Sequence, residues 1–201
     1  MTVDRLFLVR HGQTVHNVAG IAQGWTDSAL SLSGQQQVAR LAERFAAEEP
    51  DAIFSSPLQR ALTTAQAIAR ATGVAIQTLD DLREMSYGRW EGQSFLNVRR
   101  DDEEIYQQWI TDPDAACPGG ESHNDVLRRV QRAVEQIAGH RVVVVTHGTA
   151  IRIAATALLN APLSLSRRLA VDNAAVSLFV RRADHMVLKL WNDTSHCHLS
   201  S

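Results

Sequence analysis

Two histidines of this chain stand where apolar runs end. Leu6-Phe7-Leu8-Val9 leads into Arg10-His11-Gly12, and Val142-Val143-Val144-Val145 leads into Thr146-His147-Gly148. A third run, Asp51-Ala52-Ile53-Phe54, leads into Ser55-Ser56-Pro57-Leu58-Gln59-Arg60, which adds hydroxyls and a second arginine. Near neutral pH an imidazole can serve as nucleophile, base or acid. An arginine fork binds phosphate or carboxylate through paired hydrogen bonds. Gathered in one place, these groups could hold a small oxyanion and act on it.

An open α/β sheet would gather them, because polar residues beyond the carboxyl ends of its strands converge on one crevice although they lie far apart in sequence. The intervening pattern fits. Residues 33–48 carry Val38, Leu41, Ala42 and Phe45 at helical spacing. A strand over 51–54 is followed by a helix over about 57–71, with Pro57 in its first turn and Gly73 ending it. A short strand over 74–78 comes next, then a helix over about 123–138 marked by Val126, Val130, Val134 and Ile137. The β-branched run at 142–146 predicts a strand, and a helix over about 149–159 then aims its positive end at the crevice. Two alternating segments, 176–181 and 186–191, predict closing strands. Strands alternating with helices predict a three-layer α/β/α sandwich around a mostly parallel sheet. Residues 92–122 are the least regular. They hold Trp109 and a Pro118-Gly119-Gly120 turn, and predict a partly helical insertion over the crevice.

At 201 residues and 45% hydrophobic, the chain suits one large core, so a single domain over residues 1–201 is expected. A net charge of −2 offers no basic footprint for nucleic acid or an anionic membrane. Lys189 is the only lysine. It lies in a predicted strand, which leaves no Walker-type loop and gives Schiff-base chemistry nowhere else to go. Cys117 and Cys197 lack CxxC spacing. Residues 1–5 lack the basic start of a signal peptide, and no run approaches the ~20 apolar residues of a membrane span. A cytoplasmic location with reduced thiols is therefore expected. His196 and His198 flank Cys197, but alternating residues of an extended tail point to opposite sides, so this end reads as frayed rather than as a metal site.

The run Arg10-His11-Gly12-Gln13-Thr14-Val15-His16-Asn17 resembles the opening motif of the histidine phosphatase superfamily, also called the phosphoglycerate-mutase-like family. Further blocks follow in the family's order: QGWTDSALS at 23–31, SSPLQRALTTA at 55–65, LREMSYGRWEG at 82–92, PGGES at 118–122 and THG at 146–148. The resemblance covers nearly the whole chain. Its ending, Asp193-Thr194-Ser195-His196, is similar to the tail of the broad-specificity phosphatase branch. The resemblance implies a phosphoglycerate-mutase-like fold and action on small phosphomonoesters with no cofactor and no metal. It implies that His11 is the nucleophile and becomes phosphorylated, while Arg10 and Arg60 cradle the phosphoryl oxygens. His147, cationic when the dianion is bound, would stabilise charge in the transition state. Glu84 matches the proton donor and would then act as base toward water; the first role requires a protonated carboxyl at the working pH. Asn17 matches a phosphate contact. Gln23 and Gly24 stand where members vary with substrate, and Gly148 joins them as a substrate-binding position.

A mutase returns the phosphoryl group to a sugar acid, whereas a phosphatase gives it to water. The block around Glu84 reads ExxxGxWEG, without the histidine-tyrosine pair of the mutase-like form, and the longer basic insertion of mutases is missing. Phosphatase is therefore favoured. A cofactor-dependent phosphoglycerate mutase is the alternative, and an inactive binding or regulatory module is the alternative of another class. The module reading predicts loss of Arg10, His11, Arg60, Glu84 or His147, and all five are present. His16 reads as a packing residue. Trp25, Trp90 and Trp109 are read as core or as leaving-group wall, with Trp109 the candidate for the wall. Glu121 would contact active-site arginines or cap the following helix, and His123, His140, His185 and His198 receive no role. Gln23, Tyr87, Arg99, Arg100 and Trp109 are the residues to examine against the leaving group. The natural substrate and homo-oligomerisation stay open.

Overall fold

The structure is a computed structural model and describes residues 3–198. Residues 1–2 and 199–201, which belong to the expected leader-free start and to the ends of the expected domain, lie outside the described residues. In chain order come β1 (Arg5–Arg10), α1 (Val15–Ala19), α2 (Leu32–Glu48), β2 (Ala52–Ser55), α3 (Gln59–Thr72) and β3 (Ile76–Thr78). Then follow α4 (Phe95–Asp101), α5 (Glu103–Thr111), α6 (His123–Gln136), β4 (Arg141–Thr146), α7 (Gly148–Leu158), β5 (Val176–Arg182) and β6 (His185–Asp193).

The strands form one sheet in the order β3-β2-β4-β1-β5-β6. The first four run parallel, β5 is antiparallel to β1, and β6 is antiparallel to β5. Register brings the carboxyl ends level: Arg10 lies opposite Thr146, and Ser55 opposite Val145. Whatever follows β1, β2 and β4 therefore shares one rim.

Both faces of the sheet are covered, which is why its central strands are apolar throughout rather than alternating. Phe7, Val9, Ile53, Val143 and Val145 pack under α2 and α3 against Leu41, Phe45, Ala61, Ala65 and Ile68. Leu6, Leu8, Phe54, Val142 and Val144 face the other way, onto α6 and α7 through Val126, Val130, Ile151 and Ala155. Each fully buried large apolar side chain contributes about 1.5–3 kcal/mol, so these two cores, rather than helix propensity, fix the layers. Where α2 passes the end of β1, Gly12 and Gly34 meet. A Cβ on Gly34 would lie 1.9 Å from the Gln13 carbonyl oxygen, so only glycine permits this approach.

Some boundaries differ from the sequence-based expectation for local reasons. Helix α3 begins at Gln59, after Pro57, because Asp27 caps it from another loop: its Oδ2 accepts the Gln59 N–H at 2.7 Å. Helix α6 ends at Gln136, since Ile137 is extended. Strand β3 starts at Ile76. The loop after β1 contains α1, closed by a capping box between Thr14 and Asn17. Residues 92–122 hold α4 and α5, packed through a cluster of Tyr87, Trp90, Phe95, Tyr106 and Trp109. The tail is not frayed. A 3-10 turn over Ser195–His198 buries His196, whose Nδ1 lies 3.0 Å from the Arg44 guanidinium, and Arg44 also pairs with Asp193.

Candidate active site

His11 is the first residue past β1 and is 2% exposed. Its Nδ1 lies 2.8 Å from the carbonyl oxygen of Gly12. A carbonyl only accepts, so Nδ1 must carry the proton and Nε2 is left with a free lone pair. Burial, and then the charges of Arg10 and Arg60, hold the imidazole well below its ordinary pKa. It is therefore a neutral base with its lone pair fixed on one nitrogen.

Arg10 and Arg60 are each anchored by the protein with donor capacity to spare. Arg10 donates from Nη1 to the Val171 carbonyl at 2.6 Å, and its buried Nε has no partner. Arg60 donates from Nη2 to the Gly24 carbonyl at 2.7 Å and from Nη1 to Thr26 O and Asp27 Oδ1; its buried Nε is likewise unpartnered. Asn17 is fixed through its Oδ1, which accepts from Thr14 N–H and from Asn173 Nδ2 at 3.1 Å each. That leaves its own amide N–H groups as donors. Gln23 is buried, and its Oε1 lies 3.0 Å from Thr14 Oγ1. Gly24 has φ +53°, and a Cβ there would collide with Glu91 at 2.2 Å.

On the opposite wall, Glu84 Oε2 accepts the Thr149 N–H at 3.2 Å, and Oε1 accepts the Met85 N–H at 2.8 Å. The α7 N-terminus thus meets the carboxylate. His147 occupies the N-cap position of that helix without a side-chain capping bond and is fully buried, with Nε2 2.8 Å from Ser56 Oγ and Nδ1 unpartnered. Burial, followed by Arg60 and His11, holds it well below its ordinary pKa, so the neutral form is favoured. The His11 and His147 ring centroids are 5.1 Å apart.

Except for His147, which is fully buried behind Ser56 and His11 and lines neither space, these residues share one cleft. A niche of about 100 Å³ is lined by Arg10, His11, Asn17, Gln23, Gly24, Arg60 and Glu84, and it abuts a wider space of about 250 Å³ containing Gly148, Thr149 and Arg152. Arg10, Glu84, Tyr87 and Phe95 line both. Among the described residues no cluster of His, Cys, Asp and Glu has metal-holding geometry, and no helix is long and apolar enough to cross a membrane. The Cys117 thiol is pushed up to about 12 by burial, which removes it from nucleophilic chemistry.

Other expected residues lie elsewhere. Arg99 and Arg100 are exposed, and Arg100 pairs with Asp101. Trp109 is 9% exposed and lines an adjoining cavity rather than the niche. Trp25 is 44% exposed and serves neither core nor pocket; its Nε1 donates to the Glu84 carbonyl at 2.8 Å. Glu121 does not touch the site arginines. It pairs with buried Arg129, while Ser122 caps α6. Arg129 is a contributor that motif reading overlooks: it donates to the carbonyls of Asp81, Arg83 and Glu84 at 2.9, 2.6 and 2.9 Å. The signal was an arginine on the apolar stripe of α6, between Val126 and Val130. Asn173, which donates to the His11 carbonyl at 3.3 Å, carries no such signal.

A bifunctional protein of Mycobacterium tuberculosis is 38% identical over 188 residues, covering 91% of this chain. This chain spans only about half of that relative, 52% of its length. Phosphoserine phosphatase 1 of Hydrogenobacter thermophilus is 34% identical over 201 residues, covering 97% of this chain and 94% of the relative. Among solved structures, a mycobacterial glucosyl-3-phosphoglycerate phosphatase in complex with VO3 superimposes with a TM-score of 0.87 at 31% identity, covering 94% of this chain and 99% of that one. The histidine phosphatase superfamily, branch 1, matches residues 6–194, and the chain belongs to that family.

Proposed function

We propose that this protein, acting as one catalytic domain, hydrolyses small phosphomonoesters through a phosphohistidine on His11. The observation that carries the reading is the Gly12 carbonyl on His11 Nδ1, which fixes the Nε2 lone pair on a neutral ring beside two buried arginines. In the first step Nε2 attacks phosphorus, the P–O bond to the leaving group breaks, and Glu84 gives its proton to the departing alkoxide. Arg10 and Arg60 offer free guanidinium N–H groups to the equatorial oxygens, Asn17 offers its amide, and His147 takes up a proton as the dianion enters. In the second step the Glu84 carboxylate removes a proton from water, the water oxygen attacks phosphorus, and the P–Nε2 bond breaks. Inorganic phosphate leaves and Glu84 is protonated again. Gln23, Gly24 and Gly148 border the leaving group. The arginines, and His147 once it has taken up a proton, supply the positive charge that a metal would otherwise provide, so the reaction runs without one.

Turnover of p-nitrophenyl phosphate in the presence of a chelator tests this. Chelator-resistant turnover that His11→Ala abolishes is expected, and turnover that survives His11→Ala overturns the reading. Interconversion of 2- and 3-phosphoglycerate stimulated by a bisphosphoglycerate primer would establish the mutase instead.

A further inference from the structure

Beyond the α7 N-terminus the cleft continues into a cavity of about 430 Å³, lined by Tyr106, Trp109, His123, Arg152, Ser166 and Arg167 among others. Thr149 and Arg152 line both this cavity and the space beside Glu84. Its size suits a small ligand. Its chemistry is one-sided. It is lined by two arginines and no acidic residue, and neither Arg152 nor Arg167 makes an ion pair with a carboxylate among the described residues. Arg152 reaches only Thr149 Oγ1, at 2.9 Å, and Arg167 only the Trp109 carbonyl, at 3.4 Å. The opposing charge that acts on Arg167 is that of Asp112, which is not part of the cavity lining.

The wall is also short of acceptors. Trp109 Nε1, which can only donate, and His123 Nδ1 are buried without a hydrogen-bond partner. His123 is 6% exposed, and burial together with Arg167 and Arg152 pushes it down to about 4, so it adds no charge of its own. The Trp109 N–H, desolvated without an acceptor, is costly to leave unmatched, and a ligand bearing acceptor oxygens supplies what it lacks.

We propose that this cavity receives the far end of the leaving group, and that this end carries a second oxyanion, a carboxylate or a second phosphate, held by Arg152 and Arg167. The proposal rests on the phosphatase reading and narrows its substrate class to esters with two anionic ends. Four residues of α7, about 6 Å of helical rise, separate Gly148 from Arg152, so a spacer of several atoms joins the two ends.

A series of ω-phosphooxy alkanoates with two to six methylenes, the matching neutral primary amides, and the matching bisphosphates tests it, with p-nitrophenyl phosphate as reference. At the favoured length, kcat/KM for an anionic-ended ester exceeds that for the amide about tenfold or more, as charge-assisted paired bonds predict. Whether the acids or the bisphosphates lead identifies the oxyanion. Arg167→Gln, at an exposed rim position where folding is not at stake, and Arg152→Gln each collapse that ratio. Equal turnover of acid, bisphosphate and amide at every length, or a ratio unmoved by both substitutions, overturns the subsite. No turnover of any ester, p-nitrophenyl phosphate included, overturns the phosphatase reading beneath it.

Discussion

Replacing Arg129 by Met probes how the proposed acid is aimed. The Arg129 side chain is 7% exposed and Glu121 is 17% exposed, and the guanidinium makes a bidentate pair with that carboxylate at 2.8 and 3.0 Å. It also holds three carbonyls of the segment that carries Glu84. Removing one partner of a buried pair costs about 3–5 kcal/mol, and the residual exposure of Glu121 places the loss near about 3 kcal/mol. For a chain of this size each kcal/mol lowers Tm by about 2–4 °C, so Arg129→Met melts about 6–12 °C lower. Glu84 O keeps only the Trp25 N–H as an anchor, and a misplacement of about 1 Å can cost roughly 100-fold in rate. The loss is selective. Alkyl esters need a proton on the departing oxygen and lose about 10- to 100-fold in kcat/KM, whereas p-nitrophenolate departs without one and loses far less. The assay is a plot of kcat/KM against leaving-group pKa, with Arg132→Met as control, since Arg132 pairs with Asp81 at the surface. Equal losses for good and poor leaving groups, or an unchanged Tm, would refute the reasoning.

His11 and His147 are held neutral by burial, so below a pKa of about 6.5 the unfolded chain binds more protons than the folded one. Their contribution is complete above that pH and is lost progressively as the pH falls from 7 to 5; equal denaturant midpoints at the two pH values would contradict it. Gly34→Ala forces a methyl against the Gln13 carbonyl and destabilises the fold by about 1–3 kcal/mol or more, measured as a drop in Tm. Arg60→Lys cannot span the Gly24 and Thr26 carbonyls and also offer a fork, so kcat/KM falls about 10- to 150-fold with the charge retained. A lysine enzyme with wild-type kcat/KM would show that charge alone suffices.

The parts of this molecule that could be read in advance are those in which sequence neighbours share a fate. The apolar runs ending at Val9 and Val145 became adjacent strands, and their register put His11 and His147 side by side. The apolar stripes of α2 and α6 likewise sit where their spacing put them. What escaped were polar bonds reaching across the fold. Periodicity reports which side of a helix meets the core, but not that Arg129 crosses it to hold the Glu84 segment, nor that Asp27 caps α3 from a distant loop. The tail deceived for the same reason: alternation suggested an extended end, while a partner on α2 buries His196. Arg99 and Arg100 drew notice as a pair, yet the cationic lining beside the cleft comes from Arg152 and Arg167, which sit on different elements.

The most direct test of the central claim is to quench the enzyme during turnover of a labelled phosphomonoester and map the labelled peptide under alkaline conditions that preserve phosphohistidine. The account predicts an acid-labile phosphoryl group on His11, absent from His11→Ala and accumulating when Glu84→Gln slows hydrolysis of the intermediate. Label on any other residue, or steady turnover with His11 never phosphorylated, would contradict it.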